Sequence, residues 1–277
     1  MSSYFVLFNG YYLHSNLIYG FYSFIALYGL WRRLISGDRS WLIISAVALL
    51  SSSFLRMEGP LFSLIIIIVL ISNKHIKFQE KLYYVGANSL LVAVWYIKLF
   101  FILSDQPSKY YLNRDRALLI AVLYLLTFIV LLLSQQRILN RLKQHFPLIM
   151  LYFLSIGWTI VMLTKGLTIK GKLLILERYG IFIVNAVKYG GWGILWVAVM
   201  ALFVVGLALK RIKNESVYLY YIFSFLLLYN CIHIIRGGWR LDWGDSGNRM
   251  LMHIIFTISF YAFLKFKMAL FPKSYVK

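Results

Sequence analysis

The chain has 277 residues, of which 61% are hydrophobic and 14% are charged, and its mean hydropathy is +0.76. Soluble domains carry about a quarter charged residues, so this composition excludes a soluble globular protein. In a soluble protein the formal net charge of +20 would suggest a nucleic-acid partner. In a membrane protein, lysines and arginines instead mark cytoplasmic loops and meet anionic lipid head groups. We therefore expect membrane lipids, and no nucleic acid, as partners.

Apolar blocks of about 20 residues, the length that crosses hydrocarbon as a helix, recur along the chain. They predict an all-α integral membrane protein with about nine transmembrane helices in one polytopic domain, residues 1–277. In chain order the predicted spans are 15–31, 41–55, 61–73, 82–103, 117–133, 147–164, 190–209, 216–235 and 250–264. The second, third and ninth spans are short, so we expect aromatic and long basic side chains to complete their ends.

The connection between the sixth and seventh spans is not a simple loop. From Lys172 to Lys188 it mixes leucines, isoleucine, phenylalanine and valine with charged residues such as Glu177 and Arg178. This mixture predicts an amphipathic helix that lies in the membrane interface, before the pair Gly190-Gly191 ends it.

The distribution of positive charge predicts the orientation of the helices. Sixteen lysines and arginines lie on one side of the predicted spans, in residues 32–40, 73–81, 134–146, 210–215 and 265–277. The opposite loops hold 12 over a greater length. Because cytoplasmic loops carry the excess of Lys and Arg, we expect the N-terminus outside and the C-terminus in the cytoplasm.

The connection from Arg236 to Arg249 holds the densest group of side chains that could bind a ligand. These are three arginines, two tryptophans and two aspartates, namely Arg236, Arg240, Arg249, Trp239, Trp243, Asp242 and Asp245. The arginines suit a phosphate or diphosphate. The tryptophans could stack on a sugar, cover a lipid chain, or belong to the aromatic belt of the membrane. The aspartates could bind hydroxyls, act as a base, or pair with the arginines.

Five other charged or histidine positions invite a functional interpretation. Arg56 and Glu58 lie in the turn before the third span and either form an ion pair or hold an anionic phosphate. His233 and His253 flank the 236–249 connection, but their spacing matches no standard ligand pattern. We therefore predict no metal and no cofactor, and we expect each histidine to be a hydrogen-bonded structural residue. Lys98, inside the fourth span, is expected to snorkel to the interface or to pair internally.

Two short motifs resemble a known family. Arg56-Met57-Glu58-Gly59 and Asn248-Arg249-Met250-Leu251-Met252-His253 resemble the Arg-x-Glu-Gly and late Asn-Arg-Met/Tyr-Leu segments of bacterial GT-C-type glycosyltransferases. These are multispanning enzymes similar to the dolichyl-phosphate-mannose-protein mannosyltransferases. The stretch 172–189 looks like the late amphipathic helix of that family. The resemblance covers most of the chain, although each motif is short and degenerate.

The resemblance implies a polyprenyl-phosphate-linked sugar donor and transfer to a lipid or glycan acceptor. It places the active site on the non-cytoplasmic face of a bacterial plasma (inner) membrane. It implies that Arg56 and Arg249 hold the donor phosphate, that Glu58 orients Arg56, and that the stretch Arg236–Asp245 contacts sugar or acceptor.

One departure from the family concerns the catalytic carboxylate. In the family this carboxylate lies in a large first outer loop, whereas only 14 residues precede the first predicted span here. The stretch Tyr11–Phe24, with Tyr12, His14 and Asn16, instead looks like the middle region of the family, where an Asn-Ala-Asp segment is common. No aspartate is present in this stretch, so the catalytic residue is unknown.

Two hypotheses follow from this departure. Either the chain is the C-terminal part of a longer glycosyltransferase, or it is a degenerate homologue. In the second case we expect a non-catalytic membrane component of a cell-envelope glycan assembly or lipid-glycan transport system. A second chain would then supply the missing N-terminal part. The enzyme is the favoured interpretation. An O-antigen-polymerase-like enzyme is a third hypothesis, although the sequence lacks the matching long central loop.

Overall fold

The structure, a computed structural model, describes residues 15–55, 59–102, 114–135, 141–166, 184, 194–236 and 246–271. These residues are helical apart from short turns, and no strand occurs among them. The nine α-helices of the described residues are α1 Ser15–Ser36, α2 Ser40–Leu55, α3 Gly59–Ser72, α4 Phe78–Ile102, α5 Arg114–Leu133, α6 Phe146–Val161, α7 Ile194–Ala208, α8 Ser216–Arg236 and α9 Ser246–Leu270. A 3-10 turn, Lys143–His145, precedes α6, and a π-helical turn, Met162–Gly166, follows it.

The all-α prediction is confirmed for this part of the chain, because each predicted span overlaps one of these helices. Four helical stretches are both long and apolar enough to cross a membrane, namely Phe78–Phe101, Arg114–Leu133, Lys143–Thr164 and Met252–Leu270. Four shorter apolar helices accompany them, and the predicted short spans α2 and α3 are among these. That all nine helices cross the membrane stays a prediction.

Most of the helices extend a few residues beyond their predicted spans. The largest extensions at a C-terminal end are those of α1 and α9, and each of them contains a buried charge that is paired. The first span was expected to end at residue 31, but α1 continues to Ser36 because the guanidinium of Arg33 is paired inside the protein with Glu80. Gly37 ends α1 with a φ of +76°, a conformation that glycine adopts without strain. The ninth span was expected at 250–264, but α9 continues past Lys265, whose ammonium is paired as well.

The described residues divide into two compact units. Residues 25–149 form the first, here called the continuous unit. In it α4 packs along α5, and α2 contacts α3 and α4. The Ser45 hydroxyl donates to the carbonyl of Ala26 at 2.6 Å and lies 2.9 Å from the Tyr84 hydroxyl. The Tyr124 hydroxyl donates to the carbonyl of Pro60 at 2.9 Å. Pro60 lies in the first turn of α3, where its missing N–H is not needed.

Residues 1–24 and 150–277 form the second compact unit, here called the split unit. In it α7 packs along α9, and α8 also contacts α9. Gly20 lies directly against the backbone of Met252, so that α1 and α9 approach closely. The largest fully buried side chains of the split unit are aromatic, namely Tyr19, Tyr218, Tyr221, Tyr261 and Phe225. The four tyrosines place hydroxyl groups inside the core of this unit.

Large apolar side chains point outward from the helices of both units. Phe101, Phe153, Leu163, Val204 and Phe263 are each at least 60% exposed. A protein in water would not leave so many large apolar side chains exposed, whereas the hydrocarbon of a bilayer accommodates them. The outward-facing residues and the four long apolar helical stretches together identify a helical membrane protein.

Candidate functional site

Most predicted site residues lie outside the described residues. These are Arg56, Glu58, Trp239, Arg240, Asp242, Trp243 and Asp245. The predicted amphipathic helix at 172–189 also lies outside them, apart from Val184. Arg236 is the last residue of α8 and Arg249 lies in the first turn of α9, but their side chains are outside the described part. The roles assigned to these residues therefore stay predictions, and the structure describes the helices that flank them.

A buried hydrogen bond joins α1 and α9 of the split unit. Nε2 of His253 lies 3.0 Å from Oδ1 of Asn16, and both side chains are fully buried. With the amide oxygen as acceptor, Nε2 carries the imidazole proton. His253 is thus a hydrogen-bonded residue, as the sequence predicted. The ring of Tyr19 lies 4.4 Å from the imidazole, and the ring of Phe225 meets it edge-on at 6.3 Å. Aromatic packing therefore holds the imidazole in one orientation.

Further polar groups are buried on the same three helices. The Asn16 amide nitrogen, the Ser224 hydroxyl on α8 and the Thr257 hydroxyl on α9 have no hydrogen-bond partner among the described residues. Burying such a group without a partner costs about 1–3 kcal/mol, so native proteins usually satisfy it with water or a ligand. These atoms are the places in the core of the split unit where a water molecule would supply the missing hydrogen bond.

The signal for this cluster was present in the sequence. Asn16 and His253 each lie within a segment that carries the family resemblance. Each also lies near the start of an otherwise apolar helix. The sequence could not show that the two side chains meet, since 237 positions separate them.

A second polar cluster of the split unit contains an ion pair that the sequence did not predict. Nζ of Lys265 lies 3.0 Å from Oε2 of Glu215, and it also donates to the carbonyl of Leu209 at 3.0 Å. The same carboxylate oxygen accepts the backbone N–H of Ile212 at 3.1 Å. Since Lys265 is 1% exposed, this carboxylate neutralises a fully buried charge.

The continuous unit holds its buried carboxylate between two guanidinium groups. Arg33 donates to both oxygens of Glu80, at 2.8 and 3.0 Å, and Nε of Arg39 donates to Oε1 at 2.8 Å. A carboxylate held by two arginines is a weak base. Glu80 therefore serves the fold and does not supply a catalytic base.

Two smaller expectations concern Lys98 and a metal site. Lys98 is exposed on α4, and its Nζ lies 5.9 Å from the centre of the Trp95 ring, at the distance of a cation–π contact. That its ammonium reaches the membrane interface stays a prediction. Within the described ranges, no three His, Cys, Asp or Glu side chains come together to hold a metal ion.

Comparisons with protein-family models, with curated proteins and with solved structures each gave no match.

Proposed function

We propose that this chain is a membrane glycosyltransferase, or the larger fragment of one. Its donor is a sugar linked to polyprenyl phosphate, and its acceptor is a lipid or a glycan. Transfer takes place on the non-cytoplasmic face of a bacterial plasma membrane, with the N-terminus outside and the C-terminus in the cytoplasm. The outward apolar surface and the long apolar helices support a site that serves membrane-borne substrates.

The observation that carries the proposal is the hydrogen bond between Asn16 and His253. It joins two of the segments in which the sequence resembles the GT-C-type enzymes, residues 11–24 and 248–253. If both segments contributed to one site, they would have to lie side by side, although they are far apart in the sequence. A buried contact between them is therefore the arrangement that the proposal requires.

The position of Arg249 supports a role at the donor phosphate. It lies in the first turn of α9 and four residues before His253, which is the spacing of one helical face. The start of a helix carries a partial positive charge and favours an anion. On this proposal Arg249 and the Arg56–Glu58 segment bind donor phosphate, and the stretch Arg236–Asp245 binds sugar or acceptor.

A specific observation favours the alternative, a non-catalytic component of a glycan assembly or transport system. Of the four carboxylates whose side chains the structure describes, three are engaged internally: Glu80 with two arginines, Glu215 with Lys265, and Asp38 with the backbone of Ser40; the fourth, Asp115, is exposed at the start of α5. None of the three is placed to activate an acceptor. A second chain that carries the catalytic carboxylate would then complete the site.

The substitution Arg249→Ala tests the proposal. We expect it to lower sugar transfer from a polyprenyl-phosphate donor by about 100-fold, the usual loss when one group that stabilises charge is removed from an active site. Arg56→Ala should act in the same way, and Arg249→Lys should retain part of the activity. The measurement is transfer of labelled sugar in membranes that contain equal amounts of each variant.

The control is Arg211→Ala, because the Arg211 side chain of the split unit is 94% exposed and its contact with Glu215 is long, at 3.9 Å. Full activity of both Arg56→Ala and Arg249→Ala would remove the site assignment. If the purified chain is inactive by itself but gains activity with a co-purifying protein, the alternative is the correct one.

A further inference from the structure

The end of the continuous unit at the α3–α4 turn buries a positive charge without a matching carboxylate. Lys81, in the first turn of α4, is 3% exposed. Its ammonium donates to the backbone carbonyl of Ile71 at the end of α3. No carboxylate lies within ion-pair distance of it among the described residues. The preceding residue, Glu80, is engaged by Arg33 and Arg39.

Lys81 lines a cavity that gathers further positive charge. The cavity has a volume of about 210 Å³, and its polar lining comes from Ser72, Lys74, Lys81, Lys143 and Gln144. None of its lining residues is acidic. We call it the lysine cavity. It lies where α3 ends, α4 begins and the 3-10 turn before α6 passes, so it lies at helix ends, where lipid head groups and water meet the protein.

Such a cluster is costly unless something compensates its charge. Burial raises the free energy of the charged Lys81 ammonium, and the like charge of the neighbouring Lys143 raises it further. One carbonyl acceptor leaves two of the three Lys81 donors for another partner. An anion in the cavity would satisfy those donors and offset the repulsion among the three lysines.

The chemistry of the lining selects the kind of anion. Ammonium groups bind phosphate as point charges, and the amide of Gln144 and the hydroxyl of Ser72 add neutral polar groups. The start of α4 contributes a partial positive charge and the end of α3 a partial negative one, so the ammonium groups determine the sign of the cavity. One water occupies about 30 Å³ of the liquid, so the cavity has room for a phosphate group.

We propose that the lysine cavity is a phosphate-binding site, with Lys81, Lys143 and Lys74 as its ligands. The phosphate belongs either to the head group of an anionic lipid or to a soluble phosphate compound. This site is separate from the residues assigned to the glycosyl donor, and the inference does not depend on the proposed transferase activity.

The test compares Lys143→Gln with a matched control, Lys77→Gln. Lys77 is an exposed lysine of the same α3–α4 turn but does not line the lysine cavity. The purified full chain and each variant are placed in nanodiscs of equal parts phosphatidylglycerol and phosphatidylcholine, and the lipid retained is identified by native mass spectrometry. In parallel, Tm is measured in phosphatidylcholine nanodiscs with sodium phosphate or with sodium chloride at equal ionic strength.

If the ligand is a lipid, the wild type and Lys77→Gln retain phosphatidylglycerol, and Lys143→Gln retains about fivefold less, the effect expected for one basic residue near an anionic head group. Lys143→Arg should restore retention. If the ligand is soluble, phosphate raises Tm of the wild type and of Lys77→Gln but not of Lys143→Gln. Either result supports the phosphate-binding site and shows whether the phosphate comes from a lipid or from a soluble compound.

The proposal is overturned if Lys143→Gln matches Lys77→Gln in both phosphatidylglycerol retention and phosphate response. In that case the only effect left would be a higher Tm of Lys143→Gln in phosphatidylcholine, through relief of repulsion from Lys81. The Tm measurement also confirms that each variant is folded.

Discussion

Among the described residues, each of the two units has one lysine that is almost completely buried, and the two lysines are stabilised differently. In the split unit, Lys265 is 1% exposed and has the Glu215 carboxylate at 3.0 Å. In the continuous unit, Lys81 is 3% exposed and has the carbonyl of Ile71 and the nearby charge of Lys143. The first lysine is neutralised within the chain, whereas the second is not.

This difference indicates which buried charge serves the fold and which is available to a ligand. In a buried ion pair whose remaining atoms are hydrogen-bonded, both charges are compensated within the protein. Removing one partner leaves the other charge uncompensated. A buried ammonium among other lysines leaves part of its charge for an external anion. Glu80, which precedes Lys81 in the sequence, does not neutralise the Lys81 ammonium, because its carboxylate is shared by Arg33 and Arg39.

The largest expected effect on stability comes from replacing the buried lysine of each unit with methionine. Lys265→Met should lower the free energy of unfolding by about 3 kcal/mol, because it leaves the Glu215 carboxylate without its cation. Lys81→Met should change stability little in neutral lipid without phosphate, because it removes a costly charge and strands no carboxylate. The measurement is unfolding in mixed detergent and SDS micelles.

The double variant Lys265→Met with Glu215→Gln serves as a control, since removing both charges should recover much of the lost stability. An equal loss of stability for Lys265→Met and Lys81→Met would remove the distinction between the two lysines.

A smaller effect is expected from packing rather than charge. A Cβ at Gly20 of the split unit would overlap the carbonyl oxygen of Met252, and one at Gly29 of the continuous unit would lie 2.7 Å from the carbonyl oxygen of Trp41. Gly20→Ala and Gly29→Ala should each destabilise by about 1–3 kcal/mol. Gly157→Ala is the control, because a Cβ there has no atom within 4 Å. It should be neutral or stabilise by up to about 1 kcal/mol.

Gly20→Ala also probes the candidate site. Gly20 lies against the backbone of Met252 and His253, so a methyl group there should separate α1 from α9 and weaken the Asn16–His253 hydrogen bond. Transfer activity should then fall in Gly20→Ala and not in Gly29→Ala. Equal activity of the two variants would show that the hydrogen bond is not needed for the proposed function.

The smallest expected effect concerns the exposed turn between α1 and α2. The backbone N–H of Ser40 donates to Asp38 at 2.9 Å, and this hydrogen bond lowers the pKa of the Asp38 carboxyl below its usual value. Because the pKa is lowered on folding, the stabilisation is present above the unfolded-state value near 3.9 and is lost as the pH falls through the folded value. Asp38→Asn should therefore show a slightly smaller decrease of Tm between pH 6 and pH 3.

If the Tm of Asp38→Asn follows that of the wild type throughout this pH range, the Asp38 carboxylate contributes nothing to stability. Such a result would leave the comparison of the two buried lysines unchanged, since Asp38 is fully exposed and lies outside both buried clusters.

Much of the fold was predictable, because it depends on local properties of the chain. Apolar blocks of helical length located all nine described helices. The errors concerned helix ends that carry charge. The C-terminal ends of α1 and α9 were not predicted, because the order of residues does not show that Arg33 is paired with Glu80 and Lys265 with Glu215.

The candidate site was predictable only as separate segments. The sequence drew attention to Asn16 and to the 248–253 motif through a resemblance, and it identified neither residue as the partner of the other. The roles of Arg56, Arg249 and the Arg236–Asp245 stretch remain predictions for the activity measurements. Neither polar cluster around Glu80 and Glu215 was predicted, because the sequence places both acids in ordinary basic loops.

By itself, the sequence determined that this protein is helical and belongs in a membrane, because hydropathy and segment length are properties of consecutive residues. The tertiary structure alone decided which buried charges are paired. Lys265 meets Glu215 across 50 positions, and His253 meets Asn16 across 237. Lys81, by contrast, lies near other lysines and has no carboxylate within ion-pair distance in the described part of the chain, because Glu80 is engaged by Arg33 and Arg39. The free energy of a buried charged group depends on which groups surround it in space. The order of residues does not specify those neighbours.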